Sequence, residues 1–597
     1  MSSATAGKSV VGMTLAIIVG ACGPAATADP PADTIFVGDN IVTMDPDRPT
    51  VEAVAVRGET IMAAGARDEV MALRGESTRL VELGERALLP GFIDAHGHFM
   101  GAGLALDELS LHAPPVGDVT NVDELVAKIR RWIDEKQIPE GEAVFGNGYD
   151  DSLLAEGLHP TRVDLDRAST DHPIVLDHVS GHLRAANSAA LAASNITAAT
   201  PDPDGGIIRR ISGSMEPDGV LEELAGRLIT VGGDGATGSD ELDGLIRSSI
   251  GVYAGYGTTT IQNGSATSPE LAERIRAAAE REPFAADLAV FAGSDAVLDG
   301  QVQYSRSYRN GFRIAGVKLV LDGSPQGRTA WVTEPYVEGP PGASPEYRAY
   351  GIMDPEAYKT AAAALIARGV PFLAHANGDA AIDLMLDGVD EAVAGMAEVP
   401  NHRSVIIHAQ LMRADQLDRA AALKVVPSFF SAHTFFWGDW HVRSFGEERG
   451  SNISPVRWAI DRGVHFTVHN DAPVVPPDIM RLVSITVNRT TRSGRGLGPH
   501  QRATIQEALH AVTLGAAYQY FEEDRKGSIT VEKQADLIVL AQNPITADPA
   551  ELEHIEVLET FSRGRSVYRN ESAGTAEGSG ADGDEPVDGA DVPHTIH

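Results

Sequence analysis

Residues 90–98 read PGFIDAHGH, Pro90 to His98, an apolar run that ends in two histidines one residue apart. In an extended strand alternate residues project to the same side, so His96 and His98 share one wall. Two imidazoles side by side suit a divalent metal that prefers nitrogen ligands. Taken alone, the pair also fits two hydrogen-bonded core histidines. Three further apolar runs end in the same way. PFLAH closes on His375, SVIIH closes on His408, and HFTVHN leads into Asp471. Ligand-type residues at the C-terminal ends of four strands converge on one point in a barrel of parallel strands.

From about Leu88 to Ala517, strand-like runs such as AGVKLVLDG alternate with alanine-rich helical stretches such as DPEAYKTAAAALIARG. This alternation predicts an α/β fold, and a closed (β/α)8 TIM barrel is the economical choice; a doubly wound sheet is the alternative. No glycine-rich nucleotide fingerprint follows an early strand. Short strand-like runs flank this region on both sides. They predict a small β domain composed of residues 34–87 and 520–568. The barrel is then assigned residues 88–519, with an insertion at residues 105–250. Residues 23–33 read as a linker. Residues 569–597 form an acidic tail, without lysine or arginine from Asn570 onward, that is expected to be disordered.

The chain has 597 residues, 43% of them hydrophobic, and a formal net charge of -36. That charge repels nucleic acid and anionic lipid, which removes both as partners. Cys22 is the single cysteine, so an intrachain disulfide is ruled out. Residues 1–22 predict an export signal, and Val19-Gly20-Ala21-Cys22 resembles a bacterial lipobox. Cleavage near Ala26–Ala28 of an ordinary signal is the alternative. Either leads to export, with the lipid-anchored form placing the protein on the periplasmic side of the cell envelope. Membrane contact would then run only through a lipid anchor at Cys22. No later stretch has the 18 or more apolar residues of a spanning helix.

Lys318 sits inside the apolar run AGVKLVLDG. A buried lysine needs a partner, such as Asp322, or a modification. Burial leaves a neutral amine that CO2 can carboxylate, and the carbamate bridges two metal ions.

The motifs PGFIDAHGH (90–98), VKLVLDGSPQGRTA (317–330), FLAHANGDAAID (372–383), IIHAQ (406–410) and NDAPV (470–474) together resemble the metal-dependent amidohydrolase superfamily. The likeness is to its amidohydrolase 3 branch, which contains N-substituted formamide deformylase, and it spans residues 33 to 568. The resemblance implies a distorted (β/α)8 barrel with a small β-sandwich domain built from both chain ends. It implies His96 and His98 as ligands of one metal, and His375 and His408 as ligands of another or of substrate. Lys318 becomes the bridging carbamate and Asp471 the acid/base that also touches metal. One or two divalent ions, zinc by expectation, are implied. His469 and Asn470 depart from the small residues that relatives often carry before this aspartate.

The expected activity is hydrolysis of a non-peptide C–N bond, in an amide, N-acyl or N-formyl small molecule, by metal-activated water. An ester hydrolase on the same site and a catalytically silent envelope-anchored binding protein are the alternatives. A proton shuttle at Asp471 argues against the binder. The insertion carries Tyr149, Asp150, His178 and His182, of which Tyr149 and His182 are candidate substrate contacts. Asp322 and Arg328 complete that set. Arg328 can hold a carboxylate in bidentate fashion or serve a structural ion pair. Asp322 and Asp379 are also candidates for fixing histidine tautomers, or for capping and turn roles. The aromatic run 428–441 offers an apolar pocket wall or plain core. A homodimer is left open.

Overall fold

The computed structural model describes residues 30–106, 108–231 and 238–571. The export signal, Cys22 and the acidic tail from residue 572 lie outside the described residues.

Eight parallel strands form the central sheet. In order they are Phe92–Ile93, Thr258–Thr267, Asp287–Ala292, Phe312–Val320, Phe372–Ala376, Val405–His408, Val426–Phe429 and Thr467–Val468. Spatial order follows chain order and never reverses, which excludes a doubly wound sheet. Helices cross between them, among them Pro269–Arg281, Pro355–Ala367, Asp379–Val393 and Ala414–Leu423. Two of these starts are written plainly in sequence. Ser268 accepts from Leu271 N ahead of Pro269, and Asp354 accepts from Ala357 N ahead of Pro355.

The sheet is curled. Ile93, Ala289, Phe291, Ala315, Leu373, Val405, Ile407 and Val426 point inward and meet with Tyr520 in one cluster. Their alternate neighbours Leu288, Val290, Phe372, Ala374 and Ile406 pack outward in the main core with the helices. Strands buried on both faces read as continuous apolar runs for this reason. Beyond the two edge strands the sheet's ends meet: Asp471 N donates to His96 O (3.2 Å) and His98 N to Ala472 O (2.7 Å).

The two chain ends share a second sheet of eight strands. Ala87–Pro90 pairs antiparallel with Leu537–Leu540 and so joins the N-terminal strands to the C-terminal ones. Leu537 and Val539 face a local core with Phe36, Leu88 and Phe561, whereas Ile538 and Leu540 face the main core. A buried ionic cluster fastens this sheet to the base of the central one. Lys526 Nζ lies 2.6 Å from Asp287 and 3.0 Å from Glu522, and Arg563 also pairs with Asp287.

Between the first two central strands the chain makes a third sheet of six strands, from Leu109–Ser110 to Pro217–Glu223. Helix Ser239–Gly255 then leads into Thr258–Thr267. Among the described residues no helix is long and apolar enough to cross a membrane.

Candidate metal centre

The strand ends bring the ligand-type residues to one mouth of the curled sheet. The alternation that puts Leu373 inward also puts His375 inward. Lys318 needs a correction of register. Ala315 faces in, so a regular strand would point Lys318 out. The pairing to Asp287–Ala292 shifts at this point, Val290 opposite Ile314 and Phe291 opposite Gly316. This bulge sends Val317 to the outer core and Lys318 inward. Alternation from Ile407 would likewise turn His408 outward. His408 instead takes a left-handed backbone with φ of 77°, and Asp471 does so with φ of 56°. Such conformations in non-glycine residues persist only where the surroundings impose them, and they cluster at functional sites.

Asp471 sits among the imidazoles. Its Oδ1 is 3.4 Å from His96 Nε2 and 3.2 Å from His98 Nε2, and its Oδ2 is 3.9 Å from His408 Nδ1. Lys318 Nζ lies 2.9 Å from His96 Nε2. The rings of His375 and His408 stand 4.5 Å apart, centre to centre. His96, His408 and Asp471 present three buried ligand atoms within 4.8 Å of one another. His98 stands at the edge of the site, with 36% of its side chain exposed.

Burial lowers the pKa of His96, His375 and His408 well below the usual imidazole value and keeps their lone pairs free. Burial alone would raise Asp471, but the adjoining His98, His96 and His469 pull it far below the carboxylate range. Burial also brings Lys318 down to about 8, against the opposing field of Asp471. Asp471 Oδ1 is buried without a hydrogen-bond partner of good geometry. An ionised oxygen left in this way, flanked by the Nε2 atoms of His96 and His98, fits a divalent cation.

Several residues orient these groups. Gln262 Oε1 accepts at 2.5 Å from His96 Nδ1, and Ser265 Oγ lies 2.7 Å from His98 Nδ1. Asp322 lies 3.2 Å from His375 Nδ1 and accepts from the backbone of Asn377, Gly378 and Trp331. Burial nevertheless raises Asp322 to about 7. The ion pair between Lys318 and Asp322 that the sequence left open is not formed, because each faces a different histidine. His469 is the departure from the motif, and its ring bridges Ser428 Oγ (2.8 Å) and His408 Nδ1 (3.1 Å).

The inserted sheet delivers one candidate to the mouth. His182 Nε2 is 3.1 Å from His375 Nε2, and its Nδ1 is held at 2.6 Å by Glu223. Burial opposes charge on His182, but Glu223 outweighs it and raises the pKa. Tyr149, Arg328 and Asp379 are taken up by other partners. Tyr149 is buried with its hydroxyl on His159 Nδ1 (3.2 Å). Arg328 donates to Glu338, Ser444 and the Gly339 carbonyl and stacks on Trp440, so the protein itself uses its donors. Asp379 starts a helix, accepts from Thr333 N and pairs with Arg413. Of the aromatic run, Phe430 packs on His408 and His469. Trp437 and Phe436 line a small cavity with Val116, Val179 and Val474.

Gln262, Ser265 and Glu223 were not foreseen. The signal for Gln262 is a strand, TTTIQNGSAT, whose polar residues are buried over Thr258–Gly264, whereas Ser265 follows on its exposed part. Glu223 closes a strand in the same fashion.

A family model described as "Amidohydrolase family" matches residues 79–568. The N-substituted formamide deformylase of Arthrobacter pascens is 28% identical over 564 residues, covering 91% of this chain and 99% of that protein. The crystal structure of an uncharacterized metal-dependent hydrolase from Pyrococcus horikoshii OT3 superposes with a TM-score of 0.67 at 22% identity, over 87% of this chain and 99% of that one. A second such structure, from Pyrococcus furiosus, gives 0.64 at 23%, over 86% and 100%. These two structures show a shared fold.

Proposed function

The chain belongs to the amidohydrolase family, and from that premise we propose a metal-dependent hydrolase of a non-peptide C–N bond, in an amide, N-acyl or N-formyl small molecule. The supporting observation is the convergence of His96, His408 and Asp471, with a buried Asp471 oxygen that lacks a hydrogen-bond partner. The name of the Arthrobacter relative supports the N-formyl class. The fold reading that goes with it is a distorted (β/α)8 barrel, with the terminal sheet as its β-sandwich. His96, His98, His375, His408, Lys318 and Asp471 are assigned to hold one or two ions, zinc in our reading. A divalent cation there supplies Lewis acidity and lowers the pKa of water from about 15.7 to about 7.

The chain's own groups then divide the work. Asp471, kept ionised, accepts the proton of the attacking water and passes it to the leaving nitrogen. Gln262, Ser265 and Asp322 fix the imidazole orientations, as outer partners of metal-binding histidines do. His182, held by Glu223, contacts substrate from the inserted sheet. Lys318, brought toward neutral pH by burial, supplies the neutral amine that carboxylation requires. Export and lipid anchoring at Cys22 complete the proposal.

The test combines metal analysis with turnover. Purified protein is expected to carry tightly bound divalent metal and to hydrolyse members of a panel of N-formyl and N-acyl compounds. Chelation should abolish turnover, and zinc should restore it. Turnover that survives complete removal of metal overturns the proposal.

A further inference from the structure

A second cluster of ligand-type side chains lies in the inserted sheet and shares no residue with the first. Strand Val144–Tyr149 runs parallel to Ile174–His178, with Tyr149 opposite His178. Asp151 follows the first strand, His178 ends the second, and His159 precedes the capped helix Arg162–Asp166. His178 Nε2 is 3.0 Å from Asp151 Oδ1, and His159 Nε2 is 3.4 Å from Asp151 Oδ2. The three ligand atoms all lie within 4.8 Å of one another. The side chains are 0%, 6% and 9% exposed for His178, His159 and Asp151, which separates this cluster from a solvated acidic patch.

The outer nitrogens are held as well. His159 Nδ1 is 3.2 Å from the Tyr149 hydroxyl, and His178 Nδ1 is 2.8 Å from Ser180 Oγ. Outer nitrogens held by oxygens in this way fix the ring orientation and leave the inner nitrogens to face a metal. A buried carboxylate set between two imidazole nitrogens offers a mixed oxygen-and-nitrogen ligand set, and its charge is met by a cation. Arg209 answers this only in part, since it is already paired with Glu222.

We propose that Asp151, His159 and His178 form a second divalent-cation site, of the nitrogen-and-oxygen class filled by zinc, cobalt(II) or nickel(II), which fastens the inserted sheet to the catalytic mouth. The adjoining residue explains the purpose. Asp150 Oδ2 accepts from Trp437 Nε1 at 2.6 Å, so the same turn ties the insertion to the wall of the mouth. An ion at Asp151 would hold that turn in place.

The site is tested by counting metal in the full-length protein after loading with zinc and removal of free ion. Four forms are compared: wild type, His159→Gln, His96→Ala/His408→Ala, and the triple variant. His159→Gln should hold about one equivalent less than wild type, and the triple variant about one less than the double. Equal counts within both pairs overturn the proposal. Asp151→Asn replaces His159→Gln should the latter fail to fold. Cobalt(II) titration of the His96→Ala/His408→Ala protein gives a check that does not alter the cluster. A d–d absorption band saturating at one equivalent is expected, and its absence overturns the site. The inference stands apart from the hydrolase proposal, because loss of metal in His96→Ala/His408→Ala alone bears on the first site only.

Discussion

Asp471 and the four histidines His96, His98, His375 and His408 were legible because each ends or follows an apolar run, where a polar side chain has no packing role. Their supporting residues were not. Glutamine, serine and glycine carry no ligand signal, and only the fold shows Gln262 and Ser265 against the two leading imidazoles. Gly264 shows how tightly that support is built: a Cβ there would lie 2.3 Å from His96 Cε1. Gly264→Ala is expected to displace the His96 ring and weaken metal binding by roughly 10–100-fold, the usual cost of disturbing an outer partner. Competition with a chromophoric chelator measures it. At Asp471 the expectation separates chemistry from binding. Asp471→Asn keeps an oxygen in place but removes the base. Turnover should fall by about 10²–10⁴-fold, the usual worth of a positioned acid/base. Bound metal should stay above half its wild-type content. A variant retaining near-full turnover with intact metal would remove Asp471 from the proton path.

At the scale of elements, the strands of the central sheet were readable, down to the two shortest. Phe92–Ile93 and Thr467–Val468 contribute only two residues each, yet both lie inside the apolar runs that end at the site, PGFIDAHGH and HFTVHN. The insertion read as a source of substrate contacts, yet it is a six-stranded sheet with its own core around Leu111, Leu125, Ile129 and Leu176. Its strands interrupt their apolar pattern with polar and glycine residues, as in VFGNGY and IVLDH. That is why periodicity did not reveal the sheet. The sheet's docking rests partly on Trp437, whose indole nitrogen donates to the buried Asp150. Burial already raises the pKa of Asp150, against the opposing field of His178. Trp437→Phe removes the donor and leaves a buried acceptor underserved, a loss of about 1.5–3 kcal/mol for a charged group. Urea unfolding followed by circular dichroism reads this loss. A change below about 0.5 kcal/mol would mean that water takes over the indole's role.

For the whole molecule, similar strand texture at both chain ends pointed to one shared β domain, and the pairing of Ala87–Pro90 with Leu537–Leu540 realises that sheet. What the sequence concealed is the ionic joint beneath it, since Asp287, Glu522, Lys526 and Arg563 are scattered along the chain and look like surface charges. In the fold Asp287 and Lys526 are almost wholly buried against each other. Burial alone would raise Asp287, but Lys526 and Arg563 outweigh it and hold the carboxyl below its ordinary value of 3.8. Its contribution to stability is therefore fully present above about pH 4, where the unfolded carboxylate is also ionised, and is lost as pH falls through the lower folded value. Asp536 in the same cluster has the opposite sign. Burial raises it to about 6, so its protonated form stabilises the fold at low pH, and that contribution fades as pH rises through 6. Asp287→Asn takes one of two carboxylates from Lys526 and the shared carboxylate from Arg563, and should cost about 3–5 kcal/mol at pH 7, as removal of one partner of a buried pair does. The variant should also lose stability less steeply than wild type below pH 4. Denaturant unfolding of both proteins between pH 3 and 8 decides the matter: parallel curves throughout would show that Asp287 does not set the acid limit of the fold.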